Sequence, residues 1–285
     1  MYTHKLYIDG EDILADYGVG LVQGSVASFV QVPQYKTLKS NDWQEHSGLE
    51  VDLSDPKFKA QDFDLRITGR NGAVRSFAEQ FSTLEHHEMS ISGIPIELDE
   101  VRVHGVKNYT QSGIFEAATL SCTFDGDWTP ILTEYEGETA QTQTVTAPMG
   151  FNTLAGGNFG KYGIQVLDGW RSQLYRPREV KEAMGRDIST VPGIIHYSTA
   201  DPTGLTYKER QIQLDCLLHG ASSQEEFWRL YLSFMCSMAA GGSMIIVTED
   251  NTTFRSYYGG MSVTDYAPTE PSPWMRFRLT LKLFG

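Results

Sequence analysis

The sequence predicts a mainly β (α+β) protein that consists of two tandem antiparallel β-sandwich or barrel units, each with one helix packed against it. Three observations predict this class. Several long segments alternate between apolar and polar residues, as strands with one buried face do. A low-complexity segment divides the 285 residues nearly evenly. The same order of elements recurs on both sides of that segment, which indicates an internal duplication.

The dividing segment, residues 134–157, is rich in Thr, Gln, Glu and Gly. This composition is typical of a linker or an exposed arm, and it marks the boundary between two domains. We therefore expect a first β domain over residues 1–133, a linker or extended arm over residues 134–157, and a second β domain over residues 158–285.

The first elements of the two halves match in kind and in order. Each half opens with a Tyr-Gly pair and a β-branched residue, Tyr17-Gly-Val19 in the first and Tyr162-Gly-Ile164 in the second. An alternating segment follows in each half, Phe63-Asp-Leu-Arg-Ile67 and Ile212-Gln-Leu-Asp-Cys216. Because successive side chains of a strand point to opposite faces, each segment predicts a strand with one apolar face in the core.

A Ser-x-x-Glu pattern after each of these strands predicts the start of a helix. Ser76-Phe-Ala-Glu79 and Ser223-Gln-Glu-Glu226 fit the pattern, in which the Ser hydroxyl and the Glu carboxylate bind free backbone N–H groups of the first turn. We predict helices from residue 77 to about residue 84 and from residue 224 to about residue 239. The adjacent His86-His87 is interpreted as the cationic end of the first helix.

The second helix is apolar on most of its sides, so it has two faces to bury. One face can pack on its own sheet. The other face needs either the rest of the same chain or a second subunit, and the sequence leaves both alternatives open. In the second case the interface contains Trp228, Tyr231, Leu232 and Met235.

Each half continues with a hairpin and closes with a long alternating strand. The first hairpin spans residues 89–98 and turns at Gly93, and the second spans residues 244–257. The closing strands are Phe115–Phe124 and residues 274–284. The second closing strand has the clearest alternation in the chain, and we expect its apolar register to lie in the core.

No motif assembles a catalytic or metal-binding site. The seven His and three Cys residues show neither His-x₃-His nor Cys-x₂-Cys spacing, so a structural zinc site is not expected. Gly156-Gly-Asn-Phe-Gly-Lys161 has neither the Gly spacing nor the Ser/Thr of a phosphate-binding loop. Cys216 and Cys236 are predicted core thiols. We therefore expect a protein that is not an enzyme and that binds no cofactor or metal.

Net charge, apolar runs and cysteine number argue against further classes of protein. The chain has 23 Lys and Arg residues against 36 Asp and Glu residues, a net charge of −13, which argues against a surface that neutralises nucleic-acid phosphates. The sequence contains no run of about 18 apolar residues, so we expect no membrane span. The first residues lack the apolar core of a secretory signal, and the odd number of cysteines fits a reducing compartment.

The opening of the chain resembles the start of bacteriophage distal tail proteins. Leu6-Tyr-Ile-Asp-Gly10 is followed by Tyr17-Gly-Val19, then by Trp43 and by Gly48-Leu-Glu-Val-Asp-Leu53. In that family an N-terminal strand, a Tyr-Gly turn and a loop lead to an acidic strand. The resemblance covers residues 1–125, and the proposed repeat extends it to the second half. A short β-unit with one helix, duplicated in tandem, is similar to the tube-type modules of phage tails.

This resemblance implies a structural protein of a phage or prophage tail, made in the bacterial cytoplasm and located in the virion tail. It would form a ring around the tail axis, join the tube to the baseplate and contact neighbouring tube and tip proteins. DNA would pass through the lumen without specific binding, and no membrane would be entered.

The oligomeric state depends on the second half. Distal tail proteins carry one tube-like domain and a carbohydrate-binding-like β-sandwich, which would require a hexamer to match a sixfold tube. Two tube-like halves resemble instead the two-tube-domain hub proteins, and three chains would then form a pseudo-sixfold ring. We favour the trimer.

The alternative function is a tandem β-sandwich module for carbohydrate binding or adhesion. Such a module needs exposed aromatic side chains, and two of the five tryptophans, Trp228 and Trp274, lie in apolar registers that predict burial. The five candidates are Trp43, Trp128, Trp170, Trp228 and Trp274. A hydrolase is a third class, for which the sequence offers no nucleophile with a matching base.

Overall fold

The computed structural model describes residues 4–22, 24–42, 47–83, 85–136, 147–152, 157–181, 186–187, 195–196, 206–239, 242–268 and 272–284. Within these residues the strands form two antiparallel sheets of seven strands and two small sheets of two strands. The mainly β class with two tandem antiparallel units is therefore confirmed.

The first sheet uses strands from the first half only. In spatial order these are β2 (Glu11–Asp12), β1 (Leu6–Ile8), β7 (His86–Ile91), β8 (Ile94–Ser112), β9 (Phe115–Phe124), β6 (Gln61–Arg70) and β3 (Gly20–Leu21). Every second residue of β6 is buried, so its alternation does place one face in the core.

The second sheet repeats this order with the corresponding strands of the second half. In spatial order these are β11 (Gly157–Asn158), β10 (Met149–Asn152), β16 (Ser243–Thr248), β17 (Thr253–Ala267), β18 (Trp274–Leu283), β15 (Arg210–Leu218) and β12 (Ile164–Val166). The two small sheets are the hairpins β4 (Ser40–Asn41) with β5 (Glu50–Val51) and β13 (Arg186–Asp187) with β14 (Ile195–His196).

The duplication extends to irregular features. Strand β8 has register shifts at Val103/Gly105 and Lys107/Thr110, and β17 has shifts at the matching places, Tyr258/Gly260 and Val263/Asp265. Both bulge glycines adopt positive φ, 121° at Gly105 and 129° at Gly260. Bulges of this kind bend a strand at a defined position, so the two sheets share their curvature as well as their order.

The second sheet begins earlier than the expected boundary. Strand β10 lies inside residues 134–157, and Met149 pairs with Thr248 of β16. The most polar part of that segment, residues 137–146, lies outside the described residues.

Five α-helices lie among the described residues: α1 (Ile13–Tyr17), α2 (Ala73–Phe81), α3 (Trp128–Thr133), α4 (Trp170–Leu174) and α5 (Gln224–Ala239). Two 3-10 turns, Ser25–Ala27 and Phe159–Tyr162, complete the set. Helices α2 and α5 are the two long helices that the sequence predicts. The bounds of α5 agree with the prediction.

Helix α2 starts earlier than predicted, and Ser76 does not cap it. Gly72 occupies the position before the helix, and the N–H of Val74 donates to the carboxylate of Glu116 at 3.0 Å. The cap therefore comes from strand β9, which a local Ser-x-x-Glu pattern cannot reveal. His86 and His87 are not at the helix end either, because both belong to β7.

We refer below to the first unit (the first sheet with α1–α3) and the second unit (the second sheet with α4 and α5). Their buried apolar side chains form a single cluster that includes residues of both units, such as Phe77, Leu120, Phe234 and Phe277. The two units therefore share one core.

Candidate assembly surfaces

The four side chains predicted as a candidate subunit interface lie inside the protomer. Trp228, Tyr231, Leu232 and Met235 are all fully buried. The hydroxyl of Tyr231 donates to the backbone oxygen of Val30 at 2.6 Å, so the second face of α5 is covered by the first unit. Of the two alternatives that the sequence left open, the structure adopts burial within the same chain.

Two buried tyrosines, Tyr35 and Tyr258, join the two units. The hydroxyl of Tyr258 donates to the oxygen of Val32 at 2.8 Å, and the ring of Tyr35 packs edge-on against Tyr258. The Tyr35 hydroxyl donates to the oxygen of Ala239. Burial raises the pKa of Tyr35 and of Tyr258 well above its usual value, so both hydroxyls stay protonated donors.

Each unit carries an arm at the same place in its sequence. The first arm connects β3 to β6, and the second arm connects β12 to β15. An isolated antiparallel bridge closes the base of each arm, Tyr35–Phe58 in the first and Val180–Tyr207 in the second. Each arm also contains one of the two small hairpins. The described parts of the two arms therefore share a bridge and a small hairpin.

The first arm is clipped onto the second arm by Lys181. This lysine is 8% exposed, and its Nζ donates to the carboxylate of Asp42 and to the backbone oxygen of Gly48 at 2.8 Å. The N–H of Gly48 in turn donates to the oxygen of Tyr207 at 2.6 Å. A buried ammonium needs such partners, so Asp42 and Gly48 of the first hairpin have defined contacts on the second arm.

Each unit has an exposed aromatic side chain at the same corner. Phe115 is 55% exposed and Trp274 is 38% exposed, and they are the first residues of the equivalent strands β9 and β18. Leu14 and Ile114 add to the first corner. An open groove of about 870 Å³ adjoins Phe115, and one of about 520 Å³ lies between Trp274 and Leu217.

The expectation that Trp274 is buried is wrong. The alternation of β18 places Trp274 on the outer face, in register with Arg276 and Arg278, while Met275 and Phe277 point into the core. The other members of the predicted register, Phe277, Leu279, Leu281 and Leu283, are buried as expected, so Trp274 alone departs from it.

The remaining tryptophans offer little to a carbohydrate. Trp128, Trp170 and Trp228 are buried, and the indole N–H of Trp128 donates to Gln61 at 2.9 Å. Trp43 lies outside the described residues. Among the described tryptophans, Trp274 alone presents a ring to solvent.

Two cations on the outer face of β18 have carboxylate partners. Arg278 forms an ion pair with Asp215 at 3.0 Å, and Lys282 lies 3.9 Å from Glu209. Arg276 lies opposite Asp265 of β17 in the backbone register. Paired cations retain less attraction for a phosphate backbone than free ones.

All three cysteines, Cys122, Cys216 and Cys236, are free and buried. Burial raises the pKa of Cys236 to about 11 and raises the pKa of the other two further, so the thiols are protonated core groups.

Among the described residues no three His, Cys, Asp or Glu side chains lie close enough together to hold a metal ion. None of the helices in the described ranges is both long and apolar enough to span a membrane.

The clip was not found by sequence reasoning, although the sequence contains a signal for it. Lys181, Asp42 and Gly48 each have a counterpart of the same type in the other half, namely Lys36, Asp187 and Gly193, with the same spacing in both halves.

No family model matches the chain, and no curated protein matches it. The crystal structure of the Dit protein (gp 19.1) of phage SPP1 is described as a paradigm of the hub adsorption apparatus in phages that infect Gram-positive bacteria. It aligns over 99% of this chain and 98% of that chain, with 8% sequence identity and a TM-score of 0.33.

Proposed function

We propose that this protein is a structural, non-enzymatic component of a phage tail tip or a tail-like injection apparatus. It forms a ring around the tail axis and joins the tube to the baseplate. The observation that carries this proposal is the junction between the two units, in which the arm of one unit seats on the next. Such a head-to-tail junction can continue from one chain to another, as closed rings require. The residues that resemble distal tail proteins, from Leu6 to Leu53, support the same role.

Three chains are the preferred stoichiometry. Because each chain has two units of the same strand order, three chains present six units around an axis and fit a sixfold tube neighbour. A hexamer is the alternative if only the first unit is tube-like. Each interface must bury on the order of 1,000 Å² or more to be specific.

The exposed corners are candidate contacts with neighbouring tube and tip proteins. Phe115 and Trp274 occupy equivalent positions in the two units. A ring of three chains would therefore present six similar exposed aromatic side chains, each beside a groove. Exposed apolar patches with an adjoining groove are typical of protein–protein contact sites. DNA is expected to pass through the lumen without specific binding, which fits the net charge of −13 and the paired cations on β18.

The alternative is a tandem β-sandwich that binds carbohydrate. Trp274 beside its groove is the observation that favours it, because sugars stack on exposed aromatic rings.

Negative-stain electron microscopy of the purified full chain tests the proposal. We expect rings with a central opening and six similar lobes, at protein concentrations high enough to preserve weak interfaces. A parallel titration with a panel of oligosaccharides, monitored by tryptophan fluorescence, uses Trp274→Ala as the matched control. Particles without a ring, together with a glycan response that Trp274→Ala abolishes, would favour the carbohydrate module instead.

A further inference from the structure

The first arm meets the second unit along one short segment, from Val30 to Tyr35. The backbone oxygens of Val30 and Val32 accept hydrogen bonds from the hydroxyls of two tyrosines of the second unit, Tyr231 and Tyr258, at 2.6 and 2.8 Å. The side chains of Val30, Val32 and Tyr35 are all buried. This segment therefore packs on the second unit.

Matched hydrogen bonds identify the counterpart of this segment in the second arm. Before the segment, the Ser28 hydroxyl donates to the oxygen of Asp64 at 2.9 Å and accepts the N–H of Asp64 at 3.3 Å. The side chain of Gln173 makes the same exchange with the backbone of Gln213, at 2.7 and 2.8 Å. Ser28 and Gln173 therefore occupy equivalent positions.

A second pair of matched bonds follows the segment. The N–H of Lys59 donates to the oxygen of Gln34, and the N–H of Lys208 donates to the oxygen of Glu179, both at 2.9 Å. Six positions separate this bond from the preceding one in either arm. The counterparts of Val30, Val32 and Tyr35 are therefore Tyr175, Pro177 and Val180.

The counterpart segment is exposed where the first segment is buried. Tyr175 is 46% exposed, Val180 is 42% exposed, and Pro177 between them is exposed as well. The hydroxyl of Tyr175 donates to Asp250 at 2.8 Å, and its ring lies edge-on to Phe254, so the side chain has a fixed position. Neighbouring apolar side chains that stay exposed are typical of an interaction surface.

Two arginines make the exposed segment cationic. Arg176 and Arg178 stand where the first arm has the neutral residues Gln31 and Pro33. Burial lowers the pKa of the neighbouring Arg210, and the charges of Arg178 and Arg176 lower it further, so three guanidinium groups share this patch. Within the described part of the chain, none of the three forms an ion pair with a carboxylate. The patch is therefore suited to an acidic partner surface.

The surface that receives the first arm also has a counterpart, on the first unit. The first arm lies on the bulge of β17, where a Cβ on Gly260 would come to 3.2 Å from the Cβ of Gln34. Gly260 and Met261 are buried there. At the matching bulge of β8, Gly105 and Val106 are only half-buried. The bulge of the first unit is therefore the less covered of the two.

The surroundings of this second bulge are acidic. The Ser82 hydroxyl oxygen lies 3.2 Å from the place that a Cβ on the bulge glycine of β8 would take. Glu79 and Glu85, three residues before and after Ser82, are both exposed. Residues 1–133 contain 10 Lys and Arg against 20 Asp and Glu, a net charge of −10, whereas the rest of the chain has 13 against 16, a net charge of −3. We call the half-buried bulge and these two glutamates the acidic bulge surface.

We propose that the exposed segment from Tyr175 to Val180 docks on the acidic bulge surface of a second copy of this chain, with Arg176 and Arg178 facing its glutamates. Both halves of this contact lie on the surface of one chain, and they correspond to the two halves that already meet inside it. Opposite charge favours the pairing of these two surfaces. The inference rests on the proposed ring and specifies its head-to-tail junction.

Charge reversal tests the contact from both sides. In Arg176→Glu/Arg178→Glu, like charges meet, and we expect about a tenfold or greater loss of apparent association, measured by light scattering across a concentration series. Glu79→Lys/Glu85→Lys should cause a similar loss. The variant that combines all four substitutions has the signs reversed on both surfaces and should assemble again.

Lys161→Glu/Arg276→Glu is the matched control. It makes the same change of charge at two exposed positions of the second unit that lie outside the segment, so it should assemble like the wild type. Near-ultraviolet circular dichroism checks that each variant is folded.

Hydroxyl-radical footprinting of the wild type provides a second readout without any substitution. Tyr175 and Pro177 should be oxidised more slowly at concentrations where the chain is assembled than at concentrations where it is monomeric. Trp274 should keep its rate of oxidation, because its proposed contacts are with other tail proteins.

The outcomes separate this contact from the ring itself. Assembly that persists in Arg176→Glu/Arg178→Glu would overturn the contact and leave the ring proposal standing. A loss of assembly in that variant but not in Glu79→Lys/Glu85→Lys would assign the segment to a different partner surface and would also overturn the contact. A wild-type chain that stays monomeric at every concentration would overturn both proposals.

Discussion

The hydroxyl of Tyr258 donates a hydrogen bond of 2.8 Å to the backbone oxygen of Val32, across the seam between the second sheet and the first arm. Tyr258 is fully buried, so this bond is made away from water. Together with the bond from Tyr231 to Val30 it fixes the first arm on the core of the second unit. The two units are therefore expected to unfold as one cooperative body.

Tyr258→Phe tests this seam. Removal of the hydroxyl leaves the oxygen of Val32 buried without that donor, so we expect the free energy of unfolding to fall by about 1–2 kcal/mol. Urea denaturation followed by fluorescence measures the change, with Tyr7→Phe on strand β1 as the control. Calorimetry should show one transition for the wild type, and two well-separated transitions would contradict a shared core.

The two predicted helix caps should now respond differently to substitution. Ser223 accepts the N–H of Glu226 at 3.1 Å, so Ser223→Ala should destabilise the protein by about 1 kcal/mol. Ser76 lies within α2 on its exposed side, so Ser76→Ala should change stability by no more than about 0.5 kcal/mol. Thermal melts of both variants make the comparison. Equal losses of stability in the two variants would indicate that Ser76 caps α2 after all.

The bulge glycines are expected to tolerate no side chain. Gly105 and Gly260 have φ values of 121° and 129°, which L-residues rarely adopt. Alanine at either position should cost about 1–3 kcal/mol. A new Cβ would come to 3.2 Å from the Ser82 hydroxyl oxygen at Gly105 and to 3.2 Å from the Cβ of Gln34 at Gly260. The Ser82 hydroxyl can rotate away, whereas the Cβ of Gln34 is fixed to the backbone of the first arm, so Gly260→Ala should be the worse of the two. Gly150→Ala, whose nearest contact is 3.5 Å, is the control.

Asp250 should make stability depend on acid pH. Hydrogen bonds from the hydroxyls of Thr248 and Tyr175 lower its pKa from 3.8 to about 2. Because the folded-state pKa lies below the unfolded one, the unfolded chain binds the proton first as the pH falls. The stabilisation is complete above about pH 4 and is lost as the pH falls through about 2. Denaturation of Asp250→Asn at several pH values should show a shallower loss of stability with falling pH than the wild type does.

Local patterns in the sequence predicted the elements that depend on local chemistry. The alternation of residues 63–67 and 212–216 and the cap at Ser223 are read from neighbouring residues, and the structure places them as predicted. The cap of α2 depends on Glu116, and the covered face of α5 depends on Val30 and its neighbours. Such partners are distant in sequence, so no local pattern contains them. The prediction that Trp274 is buried is wrong for a different reason. Trp274 is the first residue of β18, and the side chain at a strand end can point to either face.

The mass of the full chain in solution tests its head-to-tail assembly into a ring of three. Light scattering at high protein concentration should give three times the 31.9 kDa of one chain. A mass near six chains would contradict the trimer and leave one tube-like unit per chain. A strict monomer across the whole concentration range would contradict the account.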